Sequence, residues 1–162
     1  MNAGEFLTRL TIWLALCAYA VAAGMLLTRD SRCLLRARAA WTIGCIFFLA
    51  HVVCAFRFFH HWSHAAAYDE TARQTAAVTG LHWGGGIWWN YLFAASWLAD
   101  TLWWWLGPAS FARRPRWLSA IWHGFFFFMV FNGTVVFGTG PVRWLGAILC
   151  GGLAAMWWRN GE

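Results

Sequence analysis

The chain has 162 residues, the length of one domain, with 61% hydrophobic and only 11% charged residues. Soluble proteins carry about 25% charged residues, so this supply cannot clothe a water-facing surface, and lipid is the expected solvent. The net charge of +6 comes from twelve arginines and no lysine; they sit in short clusters between apolar runs, which points to membrane topology and away from nucleic-acid binding.

A spanning helix needs about 20 mostly apolar residues at 1.5 Å rise each, and five runs answer to that. The first covers residues 6–27; it is too long for the core of a secretory signal and lacks a cleavage tail, so a retained helix is expected. Arg29, Arg32, Arg36 and Arg38 follow it, and the second run covers 39–59. Residues 60–85 form the one stretch with room for structure of its own. Its composition is helical, with Ser63 as N-cap, Gly80 as stop and Asp69 with Arg73 at i, i+4. It either lies on the membrane or continues the second span outward. The third run covers 86–106, followed by Arg113, Arg114 and Arg116. The fourth, 117–137, and the fifth, 142–158, meet at Gly138-Thr139-Gly140-Pro141 and predict a tight helical hairpin.

Arginine-rich short loops stay cytoplasmic. The fold class is therefore all-α integral membrane, a single-domain bundle of five transmembrane helices. Its N-terminus lies outside, its C-terminus with Arg159 lies in the cytoplasm, and the extra helical segment lies on the outer face. Fifteen tryptophans, many at the ends of runs, suit an interfacial aromatic belt, with Trp103 to Trp105 as an inner anchor. The phenylalanine run of the fourth helix reads as lipid-facing or packing surface. The five cysteines show no CxxC spacing, and no disulfide framework is expected.

Three of the six histidines, His60, His61 and His64, fall within five residues. On a helix His60 and His64 share a face, and two imidazoles at that spacing can hold a transition metal, with Asp69, Glu70 or His82 completing the shell. Alternatively, His61, His64 and Tyr68 follow Arg57 on a near-heptad stripe suited to a partner helix or proton path; the plainer reading is that they face headgroups and water. Ionisable groups within the spans are functional hypotheses by default. Asp100 and His123 each lie about 9 Å from the arginine-bearing end, at matched depth on neighbouring helices. A direct His–Asp hydrogen bond would make them either a relay or a polar clasp. His51 lies near the midplane; with His123 it forms the one fully intramembrane pair for haem, although their depths differ by about 9 Å. A lone histidine bonded to a carbonyl is the commoner outcome for such a residue. Arg57, Asn90, Tyr91 and Asn132 fall at similar depth and, with Tyr68, predict a polar ligand vestibule.

No HExxH, GxSxG or nucleotide-binding loop is present, so hydrolysis has little support. In length, helix count, predicted topology and Trp content the chain resembles the tryptophan-rich sensory (translocator-type) proteins, which bind tetrapyrroles and sterols. Their Trp-Pro signature has no counterpart, since residues 29–41 contain no proline, and no site residue is carried over. The expected function is an inner-membrane (bacterial plasma-membrane) protein binding a metal ion, cofactor or small ligand at the outer histidines. Its expected partners are the bilayer and other membrane subunits or further copies of itself, with no nucleic acid. The alternatives are a redox carrier or enzyme built on Asp100 and His123, and a small transporter or a tetrapyrrole- or lipid-binding sensor.

Overall fold

A computed structural model describes residues 2–27 and 33–161, the side chains of residues 160 and 161 excepted. Among the described residues every regular element is helical. They are α1 (Ala3–Leu27), α2 (Leu34–Phe58), α3 (His64–Thr79), α4 (Gly86–Leu106), a short α5 (Pro108–Ala112), α6 (Arg116–Phe131) with a π-helical last turn (Asn132–Val136), and α7 (Pro141–Gly161). Arg29 and Arg32, assigned to topology above, lie outside the described residues.

Without water to satisfy peptide groups, apolar runs of this length fold as helices that satisfy themselves. The helices α1, α2, and α6 with its π turn are long and apolar enough to cross a membrane. α4 and α7 match them with 21 residues each. Their mean hydropathy is lower, because α4 carries Asn90, Asp100 and six tryptophans while α7 carries Arg143 and Arg159.

Small residues bring α1 and α2 together. Ala15, Ala22 and Ala23 of α1 and Ala37, Gly44 and Cys45 of α2 are buried, and small side chains let helix backbones approach closely in lipid. Gly4 packs so near Phe58 that a Cβ there would lie 2.7 Å from its ring, which pairs the two helices antiparallel. Above this seam sits an aromatic core. Trp41 is 4.9 Å from Phe126, Phe126 is 4.7 Å from Phe93, and Trp97 is 5.5 Å from Trp41, centroid to centroid. The indole Nε1 of Trp97 donates to the Trp41 carbonyl at 3.2 Å. Phe126, from the run read as lipid-facing or packing surface, is fully buried, whereas Phe128 is exposed. The bundle thus has one end bearing α3 and another bearing Arg36, Arg38, Arg113, Arg114 and Arg116, termed here the α3 end and the arginine end.

Candidate functional site: two cavities and a buried ion pair

The histidines at the α3 end do not share a helix face. α2 stops at Phe58, and His61 and Trp62 take φ values of 48° and 58°. Left-handed residues reverse the chain, so α3 starts afresh at the N-cap Ser63, whose Oγ accepts from the Ala66 amide at 3.2 Å. Spacing of i, i+4 aligns side chains only within a continuous helix, which is why His60 and His64 separate. The His60 ring lies 5.6 Å from Phe56. His64 Nδ1 is 2.8 Å from the Tyr91 hydroxyl, with its ring 5.2 Å from Trp88. His61, His82 and Asp69 are exposed.

Glu70 accepts from Arg73 Nε at 3.2 Å and from Gln74 at 3.0 Å, so Arg73 pairs with Glu70 and not with Asp69. These two bonds hold the Glu70 carboxyl below its usual range, while burial holds the His60 imidazole below its own, against the opposing pull of Glu70. Among the described residues no group of three His, Cys, Asp or Glu side chains could hold a metal ion. The structure does not gather His60, His61, His64, His82, Asp69 and Glu70 into the expected metal shell.

The same turn breaks the stripe from Arg57 through His61 to Tyr68. Arg57 stands 5.9 Å from the Phe58 ring, the amide of Asn132 donates to the Phe128 carbonyl at 2.8 Å, and Asn90 is exposed. Tyr68 packs on Gly84, where a Cβ would lie 2.5 Å from its ring. Of the expected vestibule, only Tyr91 meets a histidine.

Toward the arginine end, Asp100 and His123 do converge, but through a third residue. Arg114 donates from Nη1 to Asp100 Oδ1 at 2.7 Å, its Nη2 lies 3.2 Å from His123 Nε2, and its Nε donates to Ser119 Oγ at 2.7 Å. The direct His–Asp bond is replaced by an arginine bridge. The side chains of Arg114 and Asp100 are 8% and 2% exposed, so the two charges neutralise each other out of water. Since guanidinium only donates, the bridged His123 Nε2 is an acceptor and the ring is neutral.

His51 is the lone histidine bonded to a carbonyl: its Nδ1 donates to the Thr8 carbonyl at 2.9 Å. In the neutral ring that bond fixes the tautomer and leaves Nε2 with a lone pair. His51 lies in the wall of a cavity of about 670 Å³ in the half of the bundle toward α3. The cavity is bounded by Arg9, Trp13 and Tyr19 of α1, Phe48 of α2, Phe93 and Trp97 of α4, and the stretch from Met129 to Val142. No protein-family model, curated protein or solved structure matches this chain. The site therefore has to be read from its own chemistry.

The cavity's back wall is the π-helical turn. Phe137 N–H donates to the Asn132 carbonyl at 2.9 Å, a span of five residues, and Thr134 Oγ1 donates to Val130 at 2.7 Å. Arg143 holds the turn from below, with Nε donating to the Gly138 carbonyl at 3.0 Å. Such turns are frequent at functional sites. Sequence reasoning passed over three contributors here. Arg9, inside the first apolar run and α1, was given no role, Arg114 was read as topology only, and the π turn leaves no plain mark in the sequence. The first two were detectable as ionisable groups in or beside spans.

Proposed function

We propose that this chain is a five-span membrane protein, N-terminus outside, that takes a small amphiphilic molecule from the bilayer into the cavity between α1, α2, α4 and the π turn. The carrying observation is the composition of that cavity. Six Phe, Tyr and Trp side chains supply an apolar lining, while Arg9 and the lone-pair Nε2 of His51 supply the few polar groups that orient a ligand. Ligand pockets of about 300–1,000 Å³, mostly apolar with few placed polar groups, are the usual pattern. An arginine selects an anionic end, a carboxylate above all.

The small-ligand reading is thereby moved from the histidines at the α3 end to this cavity, and the lipid-binding alternative is favoured. The Asp100–Arg114–His123 cluster supports a clasp over a relay, because each group's partner is already in place. The five-span reading draws support from the common length of the five main helices and from the gathering of Arg38 and Arg114 at one end.

A photoactivatable diazirine analogue of palmitate, applied to the protein in nanodiscs and mapped by peptide mass spectrometry, tests the reading. Saturable labelling of residues 9–19 and 129–142, competed by palmitate, is expected. Gly133→Trp, at a position where a Cβ meets no atom within 4 Å, fills the cavity and should reduce labelling to that of bulk lipid. Arg9→Gln should weaken competition by palmitate about tenfold, the worth of one charge-assisted hydrogen bond. Unsaturable labelling that is equal in wild type and Gly133→Trp would sink the proposal.

A further inference from the structure

The arginine end holds a second, smaller cavity of about 360 Å³, formed where α1 ends, α2 begins and α5 crosses. Its walls divide sharply in chemistry. Leu34, Leu35, Trp104 and Phe111 are apolar; Arg38 and Arg114 bring positive charge. The two arginines are not equivalent. Arg114 is satisfied by Asp100 and Ser119 and lies 4.3 Å over the Phe111 ring.

Arg38 stacks 4.0 Å over the Trp105 ring, but no carboxylate among the described residues pairs with it, and its buried Nε has no hydrogen-bond partner. A guanidinium N–H out of water without an acceptor is costly, and an anion supplied from outside removes that cost. With Asp100 cancelling Arg114, no carboxylate among the described residues offsets the charge of Arg38 in the cavity. Leu34 and Leu35, 51% and 65% exposed, form an apolar lip of the cavity along α2.

We propose that this cavity binds one anionic phospholipid, its phosphate accepting from Arg38 and an acyl chain lying along Leu34 and Leu35. Phosphate matches the planar donor fork of arginine, and basic pockets between helices on the cytoplasmic side take anionic headgroups. This site is separate from the palmitate-sized cavity at the opposite end, so the two readings fail independently.

Native mass spectrometry in a neutral detergent tests the assignment, with phosphatidylglycerol, phosphatidylcholine and inorganic phosphate as the probes. One phosphatidylglycerol should remain bound and exceed phosphatidylcholine by about fivefold, the discrimination a single arginine provides near a membrane surface. Arg38→Gln should remove that preference, while Arg113→Gln, on the same end but outside the cavity, should keep it. Leu35→Glu places a carboxylate at the exposed lip with little risk to folding and should also abolish the preference. This variant decides the matter if Arg38→Gln does not fold. Equal retention of the two lipids by wild type overturns the proposal. So does unchanged phosphatidylglycerol binding in Leu35→Glu, or displacement of the lipid by inorganic phosphate, which would mark a phosphate site that needs no acyl chain.

Discussion

Gly44 is the residue on which the aromatic core rests. Its missing side chain is what admits the Trp97 ring against α2: a Cβ at 44 would lie 2.7 Å from Trp97 Cζ2, with the Ala15 carbonyl 3.5 Å behind it. Trp97 cannot retreat, because Phe93, Phe126 and Trp41 surround it and its indole N–H is committed to the Trp41 carbonyl. Overpacking of this kind costs about 1–3 kcal/mol, so Gly44→Ala should lower the midpoint of thermal unfolding in detergent, and Gly24→Ala, where a Cβ meets nothing within 4 Å, should leave it unchanged. Asp100 tests a different cost. Asp100→Asn strands the Arg114 charge in a site 8% exposed, and breaking a buried pair from one side costs about 3–5 kcal/mol. Replacing both, as in Asp100→Leu with Arg114→Leu, should recover most of that loss, since two apolar groups leave no orphaned charge. A double variant no more stable than the single one would mean that Arg114 has other work in the fold.

Among the elements, α3 is the one whose stability follows pH. The Glu70 carboxyl is held low by Arg73 and Gln74, and the His60 imidazole is held low by burial. Both folded-state values lie below the unfolded ones, so both contributions are present above the unfolded pKa and are lost as pH falls through the folded one. Acid therefore loosens α3: amide exchange over residues 64–79, corrected for its intrinsic pH dependence, should speed up between neutral pH and the carboxylate range, and Glu70→Gln should flatten the acid part of that response.

The limits of this helix were legible, because Ser63 and Gly80 act locally and need nothing from the rest of the fold. The break before it was not, since Phe58 to Trp62 contains neither glycine nor proline to announce two left-handed residues. The shared helix face expected of His60 and His64 was lost with that break. Depth along a helix was legible too, and it put Asp100 and His123 on one level. What it could not supply was the loop, which folds Arg114 back between them. The cavity toward α3 was hidden for a related reason: its wall takes residues from five helices, and the one signal in sequence, Arg9 inside an apolar run, is also what a flanking charge looks like.

At the scale of the whole molecule the question is how many helices cross. The helices α1, α2, and α6 with its π turn have the length and apolarity to do so, and the five-span proposal adds α4 and α7. Single cysteines in a background with the native five replaced separate the two cases. Thr139→Cys, between the π turn and α7, should react with a membrane-impermeant maleimide applied from outside. Ala112→Cys, after α4, and Arg159→Cys, at the far end of α7, should react only once the membrane is opened. If α7 does not cross, positions 139 and 159 react from the same side. If α4 does not cross, position 112 reacts from the side that labels Thr79→Cys. The two proposed ligand sites follow the same polarity, one fed from each leaflet.

The π-helical turn has a further consequence for how the chain tolerates change. A π turn is an α-helix that has absorbed one surplus residue, and removing a residue from an ordinary helix rotates everything beyond it by about 100° at 3.6 residues per turn. Between Asn132 and Val136 the surplus is already stored beside a loop, so a one-residue deletion there can be taken up locally. The same deletion two turns earlier would swing Val130 and Thr134 out of the core. Gly146 sits against Thr134 so closely that no side chain fits between them, and that contact ties α7 to the register of the turn. A deletion scan along α6 should therefore find one tolerant island at residues 132–136, and the variants within it should fold while losing the cavity's back wall.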